Sequence, residues 1–291
     1  MKGSYKKTNG YGIGLMLLAM LLFTINDAIG KWLVVTYPVG QLIAIRSFAA
    51  LIILLPLATI NGGKDKIFKV KNLKLHLLRA ILAVAEVSCF YWSLRYLPLA
   101  DVFMFYLASP LFLTAFSIIL LKEKVGLLRW CGIVVGFGGV TLIFPPTETT
   151  ISFPALIAFG GSLSLALMLT LTRVLKATGD LTLIIFQTIA VGIGGTLTIP
   201  MTWIMPSFND LMLFSFLGFI ATTGHYLMNK SVIVSNPSVV APFQYTSIIW
   251  ALILGYLIWG DTSSTSALIG STIIILSGLF VIYEESKIKN T

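Results

Sequence analysis

Charge is what this sequence has least of. Charged residues make up 11% of its 291 residues, where an ordinary soluble domain carries about 25%. So little charge cannot clothe a water-facing surface. With 57% apolar residues and a mean hydropathy of +0.95, the shortage excludes a soluble globular domain and points to a multi-span membrane protein. Histidine is almost missing: His76 and His225 stand far apart, so the His-Glu-x-x-His zinc motif is absent and no metal-ligand pattern appears. The two cysteines, Cys89 and Cys131, lie inside apolar stretches and read as small packed residues rather than a disulfide framework or zinc site. There is no Gly-x-Ser-x-Gly and no Gly-rich phosphate loop ending in Lys-Ser/Thr. Nothing therefore asks for an enzyme or a cofactor, and no soluble nucleotide-binding domain is present to drive a primary pump. The net charge of +9 raises nucleic acid as a partner. The distribution of the charges, below, reads instead as membrane topology, with no nucleic acid.

Long apolar runs are what the chain has in abundance. The polar start MKGSYKKTNG enters an apolar run of about 24 residues, long enough for a retained first span rather than a signal peptide of ordinary shape. Ten spans of about 19–24 residues follow from the breaks: about 11–34, 39–60, 75–95, 99–121, 126–144, 152–174, 181–201, 210–231, 238–259 and 265–283. The stretch from Arg79 to Phe144 partly returns near the C-terminus. At an offset of 139, Pro98 meets Pro237, Tyr106 meets Tyr245, Gly139 meets Gly278, Phe144 meets Tyr283, and Glu86 falls opposite His225. A one-residue slip pairs Glu123 with Asp261 and Gly132 with Gly270. These matches fall at loop, small and polar positions, where apolar composition alone does not produce them. The chain reads as two five-span repeats, residues 1–147 and 148–291. Five is odd, so the second half must enter the membrane from the opposite side. An inverted repeat of this kind places a substrate site near the midplane, between the halves. Gly132, Gly136 and Gly139 form a small-residue face for helix packing. Apart from Lys31, Arg95 and the intramembrane Arg46, the lysines and arginines gather at one set of span ends, which predicts that both termini are cytoplasmic. The basic Lys64–Lys74 loop fits the same topology and contact with membrane lipid headgroups.

Ionisable residues inside spans are costly, about 2.5–3.5 kcal/mol for a charge at a helix centre, and are functional pointers for that reason. Asp27, Arg46 and Glu86 share one depth on the first three spans. They are expected to form an outward-half cluster in which Arg46 is held by Asp27, Glu86 or both, with Asn26 as a polar neighbour. The plain alternative is a neutralised pair that only fixes helix packing. Tyr106 falls in the same half, while its mate Tyr245 shares the inner depth with Gln187, His225 and Gln244. His225 reads equally as a packing histidine and as a substrate or proton group. Most aromatics, among them Phe90, Tyr91, Phe103 and Phe105, are expected at lipid-facing or interfacial positions, with Trp32, Trp130 and Trp259 marking span ends. Trp92 and Trp250 are the cavity candidates, where an aromatic lining suits a planar or cationic ligand.

Several phrases carry a resemblance over nearly the whole chain. They are Arg79 opening the third span, FYWSLRYLPLADVFMFYLASPLFLTAF, LLKEKVGLLRWCGIVVGFGGVTLIF, NPSVVAPFQYTSIIWALILGYLIWGD and IGSTIIILSGLFVIYEE. With the tandem five-span halves they resemble the ten-helix EamA branch of the drug/metabolite transporter superfamily. TINDAIGKWL looks like that family's first span. The resemblance implies an all-α integral membrane fold, two inverted five-helix repeats around a central cavity, and alternating access by rocking bundles. It also implies a cytoplasmic (inner) membrane location in a bacterium. Relatives export amino acids or drugs, or import metabolites such as S-adenosylmethionine or riboflavin. The expectation is therefore a secondary transporter of a small organic metabolite, amino-acid-like, zwitterionic or polar cationic, with Glu86 or His225 as carrier of a coupling proton. Two alternatives stand beside it. One is a gradient-independent exchanger or uptake carrier for S-adenosylmethionine or riboflavin-like metabolites. The other is a membrane interaction or regulatory protein that has lost transport.

Overall fold

Every element is helical in the computed structural model, which describes all residues except 1, 61–69, 71, 122–126, 144–151, 176–177, 179, 235–239 and 290–291. The first half runs through α1 (Lys2–Thr36), α2 (Val39–Ile60), α3 (Leu73–Leu94), α4 (Leu99–Tyr106), α5 (Ser109–Leu121) and α6 (Leu127–Ile143). The second runs through α7 (Phe153–Val174), α8 (Asp180–Thr202), α9 (Phe208–Val234), a 3-10 segment (Ala241–Tyr245), α10 (Thr246–Trp259) and α11 (Thr265–Lys289). The expected breaks at Lys122–Lys124, Phe144–Pro146, Gly179 and Asn236-Pro237, the basic loop from Lys64, and the boundary between 147 and 148 lie wholly or largely outside the described residues.

Local chemistry sets the visible helix ends. Pro38 follows α1 and disfavours helical geometry at Tyr37. Ser152 caps α7, its hydroxyl accepting from the Ala155 amide at 3.4 Å, with Pro154 in the first turn. Gly260 ends α10 in the left-handed region at φ 70, so its own amide and that of Asp261 turn back onto the Tyr256 and Gly255 carbonyls.

The fourth span, expected as one helix, is two. α4 stops at Tyr106 and α5 begins at Ser109. Pro110 has no amide hydrogen to donate to the Tyr106 carbonyl, and a proline disfavours helical geometry in the residue before it. The ninth span is irregular at the matching place. Its 3-10 turn, with Pro242 near the start, gives way to α-helix at Thr246. Tyr106 and Tyr245, paired from the sequence, therefore both stand at the discontinuity of their span.

Contacts between helix ends fix the direction of each span. Tyr37 donates to Asp210 at 2.7 Å, Gln41 to the Ile204 carbonyl at 2.7 Å, Ser93 to the Pro154 carbonyl at 3.2 Å and Ser263 to Asp101 at 3.0 Å. Lys31 makes an ion pair with Asp261 at 2.7 Å while sitting over the Trp259 ring. All five gather on one face of the bundle, the Tyr37 face. The Asp210 carboxylate pushes the Tyr37 phenol above its ordinary range. On the opposite, Gly12 face, Ser231 donates to the Gly12 carbonyl and the His76 ring meets Thr178. α1 thus runs from the Gly12 face to the Tyr37 face, and its counterpart α7 runs the other way.

The packing has the same symmetry. α6 packs on α11 and α2 on α8, each a helix against its own counterpart. α1 packs on α9 as α3 packs on α7, α2 on α9 as α3 on α8, and α1 on α10 as α4 and α5 on α7. Exchanging the halves leaves this pattern unchanged. The fold is an all-α membrane bundle of two inverted five-span repeats. Among the described residues, the first three spans of each half are long and apolar enough to cross a membrane.

Small residues set the close approaches. Gly136 meets Leu111 and Ser277, Gly139 meets the Gly270 carbonyl and Ile274, and the Gly132 carbonyl accepts from Ser277. The expected glycine face is therefore the seam between α6 and α11. At the α2–α8 crossing a Cβ on Gly195 would lie 2.5 Å from the Gly40 carbonyl oxygen and 2.7 Å from the Ala44 amide. Both are backbone atoms and cannot swing aside. Gly138, by contrast, has nothing within 4 Å of a built Cβ. Gly195→Val is expected to cost about 1–3 kcal/mol or more through overpacking, read as a lowered unfolding midpoint in detergent, while Gly138→Ala leaves the midpoint unchanged.

Candidate functional site

Three helices deliver the central polar groups. Asn26 and Asp27 come from α1, Arg46 from α2, and Glu86 and Tyr91 from α3. Asn26, Asp27, Arg46 and Glu86 lie well inside their helices, away from the ends where water would solvate a charge, and Tyr91 lies in the last turn of α3. Tyr91 joins them. Its side chain is 1% exposed, its hydroxyl accepts from Arg46 at 2.5 Å and from Asn26 at 3.0 Å, and it donates to Asp27 at 3.2 Å. Asn26 also donates to Asp27 at 2.9 Å. The Arg46 guanidinium lies 5.1 Å from the Tyr91 ring centre, where the ring face adds a cation–π attraction. Gly30 is the floor for this ring: a Cβ there would run into the Tyr91 edge.

This arrangement corrects the expected ion pair. Among the described residues Lys31–Asp261 is the one ion pair. Arg46 reaches Asp27 only through the Tyr91 hydroxyl, and Tyr91, expected toward lipid, is the centre of the network. Phe90, Phe103 and Phe105 are buried with it. Sequence reading missed the role of Tyr91 because its neighbours Phe90 and Trp92 make an aromatic run without periodicity. Spacing gave no signal either, since Tyr91 lies five residues after Glu86 and positions five apart on a helix do not share a face.

Glu86 is different. It lies within electrostatic reach of Arg46 and Asp27, yet its carboxylate has no hydrogen bond or ion pair among the described residues. Asp27, Arg46, Glu86, Tyr106 and His225 are each half-buried although their helices are surrounded. His225, the repeat mate of Glu86, packs edge-on against Phe23 with ring centres 4.9 Å apart and lies within electrostatic reach of Arg46 and Arg79.

The other candidates divide. Tyr106 belongs to the central group, donating to the Glu86 backbone carbonyl at 3.2 Å. Tyr245 is buried, and Trp250 packs with Met16, Met20 and Val240; neither the Tyr245 hydroxyl nor the Trp250 Nε1 has a partner among the described residues. Gln187 is committed elsewhere. It accepts from Arg79 at 3.2 Å, whose guanidinium also holds Thr172 at 2.8 Å and the Leu183 carbonyl at 3.1 Å. This latch ties α3 to α7 and α8. Gln244 is exposed, outside the central group. Trp92 lies toward the Tyr37 face, against Tyr96 and Phe153. Trp32 and Trp130 are exposed, as span-end tryptophans should be. A separate cavity of about 220 Å³ lies on the side of α1 away from the cluster, lined by Ile25, Ile29, Trp32, Leu213, Leu254 and Trp259.

Comparisons with known proteins agree with this geometry. Residues 10–144 match the EamA-like transporter family. Over 97% of this chain and 96% of the relative, the sequence is 25% identical to an S-adenosylmethionine uptake transporter of Rickettsia bellii. It is 24% identical to a riboflavin transporter of Vibrio cholerae, covering 94% and 93% of the two chains. It is 22% identical to a pseudopaline exporter of Pseudomonas aeruginosa, covering 91% and 94%. A solved crystal structure superposes with a TM-score of 0.64 at 12% identity, covering 97% of this chain and 99% of the other, a likeness of fold alone.

Tyr91→Phe is expected to remove one donor and one acceptor from a buried network. The cost is about 1–3 kcal/mol, seen as a lower unfolding midpoint in detergent; an unchanged midpoint would show that Tyr91 does not bridge Arg46 and Asp27.

Proposed function

We propose, from the match of residues 10–144 to the EamA-like transporter family, that the chain moves a small zwitterionic metabolite across the cytoplasmic membrane by alternating access. The full-length relatives named as transporters support the coarser statement, a small-metabolite transporter in a multi-pass membrane protein. The finer reading rests on one observation. Arg46 and Glu86 stand on neighbouring helices within electrostatic reach of each other and are not paired among the described residues. An isolated charge at this depth is costly, and a substrate bearing one charge of each sign satisfies both. Its carboxylate takes the donors of Arg46 that Tyr91 leaves free, and its ammonium takes Glu86. Tyr91 positions the guanidinium, Asp27 balances it through the hydroxyl, and Asn26 fixes both.

In this reading substrate enters between the two halves, residues 1–147 and 148–291, and the third, fourth, eighth and ninth spans (α3, α4 with α5, α9 and α10) rock against the rest. Glu86, and His225 on the opposing half, are the candidate carriers of a coupling proton. Both termini are cytoplasmic, as the basic span ends require. Membrane lipid covers the exposed apolar side chains, with the side cavity along α1 open to it. Facilitated exchange without proton coupling is the second reading.

Uptake into proteoliposomes of purified protein tests this directly, using amino acids, S-adenosylmethionine, riboflavin and cationic dyes, with and without a pH gradient. Saturable uptake of a zwitterion is expected. Arg46→Ala should weaken it roughly 10- to 100-fold, as loss of a charged hydrogen bond does, and should affect the methyl ester of the same substrate far less. Glu86→Gln should abolish uphill accumulation while the protein stays folded. Uptake indifferent to the pH gradient and stimulated by preloaded substrate would establish exchange instead. Full zwitterion uptake by Arg46→Ala would remove the proposed site.

A further inference from the structure

Tyr106 and Tyr245 occupy equivalent positions in the two halves, as do Glu86 and His225, yet the structure treats the pairs differently. Tyr106 ends α4 and donates its hydroxyl to the Glu86 carbonyl at 3.2 Å, which ties the fourth span to the third. The hydroxyl also fits against Gly161, where a Cβ would collide with it. Tyr245 ends a 3-10 turn instead of an α-helix. Its side chain is 7% exposed, and its hydroxyl has no hydrogen-bond partner among the described residues. It rests in a notch made by Gly278 of α11, again a place where a Cβ would collide with the hydroxyl. The equivalent bond, from Tyr245 to the His225 carbonyl, is not made.

An unsatisfied buried hydroxyl carries a full desolvation penalty, and the hydrocarbon around the bundle offers it no partner. An inverted repeat supplies a reason for such a group. When the bundle opens to the other side, each half takes up the conformation its counterpart has now. We propose that Tyr245 is a positioning residue for alternating access. Its hydroxyl leaves the Gly278 notch and bonds to the His225 carbonyl in the opposite-facing state, as Tyr106 releases the Glu86 carbonyl. One hydrogen bond is made in each state, and the two states differ in which tyrosine holds it. The short 3-10 turn is the element that changes, since its geometry is poorer than that of an α-helix and is often found at hinges. The exchange also moves α3 against α4 at Glu86 and α9 against α10 at His225, which couples the gate to the site that faces the substrate.

This inference rests on the transport reading but is tested without a substrate, so failure of the uptake panel and failure of the exchange are distinguishable. In a background with Cys89→Ala and Cys131→Ser, spin labels at Tyr96→Cys and Met205→Cys, both exposed and on opposite halves, report the populations of the two states as two distances. Tyr245→Phe removes the unpaired hydroxyl from the present state and the hydrogen bond from the other. It should enrich the present distance about 5- to 30-fold, the effect of one buried hydrogen bond. Tyr106→Phe should shift the ratio the opposite way by a similar factor, Gly278→Ala should shift it in the same direction as Tyr106→Phe, and the double Phe variant should return near the starting ratio. Shifts of the same sign in the two single Phe variants, or a shift confined to Tyr106→Phe in protein with an unchanged unfolding midpoint, would overturn the exchange. Either result would leave Tyr245 as a packing contact alone.

Discussion

The burial of charge governs this molecule. A bundle with so little charge cannot hold Asp27, Arg46 and Glu86 at mid-helix unless each is compensated or kept for something that arrives later. Tyr91 meets the need for two of them. One hydroxyl, with Asn26 beside it, connects Arg46 to Asp27, so neither charge is stranded and neither is neutralised by direct contact. Glu86 has no such arrangement. Capacity left to bind therefore lies on the unpartnered acid and on the Arg46 donors that Tyr91 does not occupy.

The symmetry of the packing gives the site its surroundings. Helix pairs recur when the halves are exchanged, and the Tyr37 and Gly12 faces are each closed by polar contacts. On the Tyr37 face, Lys31–Asp261, Tyr37–Asp210 and Gln41–Ile204 tie the first half to the second. On the Gly12 face, Ser231 and the Arg79 latch do the same. Such contacts hold the ends of helices whose apolar flanks gain little by associating in lipid, because hydrocarbon is as apolar as the side chains it would replace. Close glycine crossings and end-to-end hydrogen bonds carry the specificity that a hydrophobic core carries in water.

Much of this was legible in the sequence because it follows from composition and spacing. Apolar run length made the spans, and an odd number of spans per repeat required inversion. Tyr106/Tyr245 and Glu86/His225 could be paired by offset because polar residues are rare enough in spans to act as markers. The break after Tyr106 was missed although Pro110 announces it. A membrane span tolerates proline without always breaking, so the residue alone does not decide. Gln187 and Trp92 met neighbours that the sequence did not announce. Depth along a helix can be counted from sequence, but rotation about the helix axis depends on neighbours. Gln187 turned to Arg79 and Trp92 to Phe153.

The sequence by itself determined that the chain lies in a membrane, that it is built from two opposed repeats, and which few polar residues pay the cost of mid-membrane burial. Those conclusions depend on transfer energies and on counting, which are local and additive. Only the tertiary structure decided that Tyr91 mediates between Arg46 and Asp27, that Glu86 stands apart from both, and that Tyr106 and Tyr245 differ in what they hold. Hydrogen bonds act over about 3 Å and depend on direction. Residues equivalent by position can therefore sit in different states until the helices around them are in place.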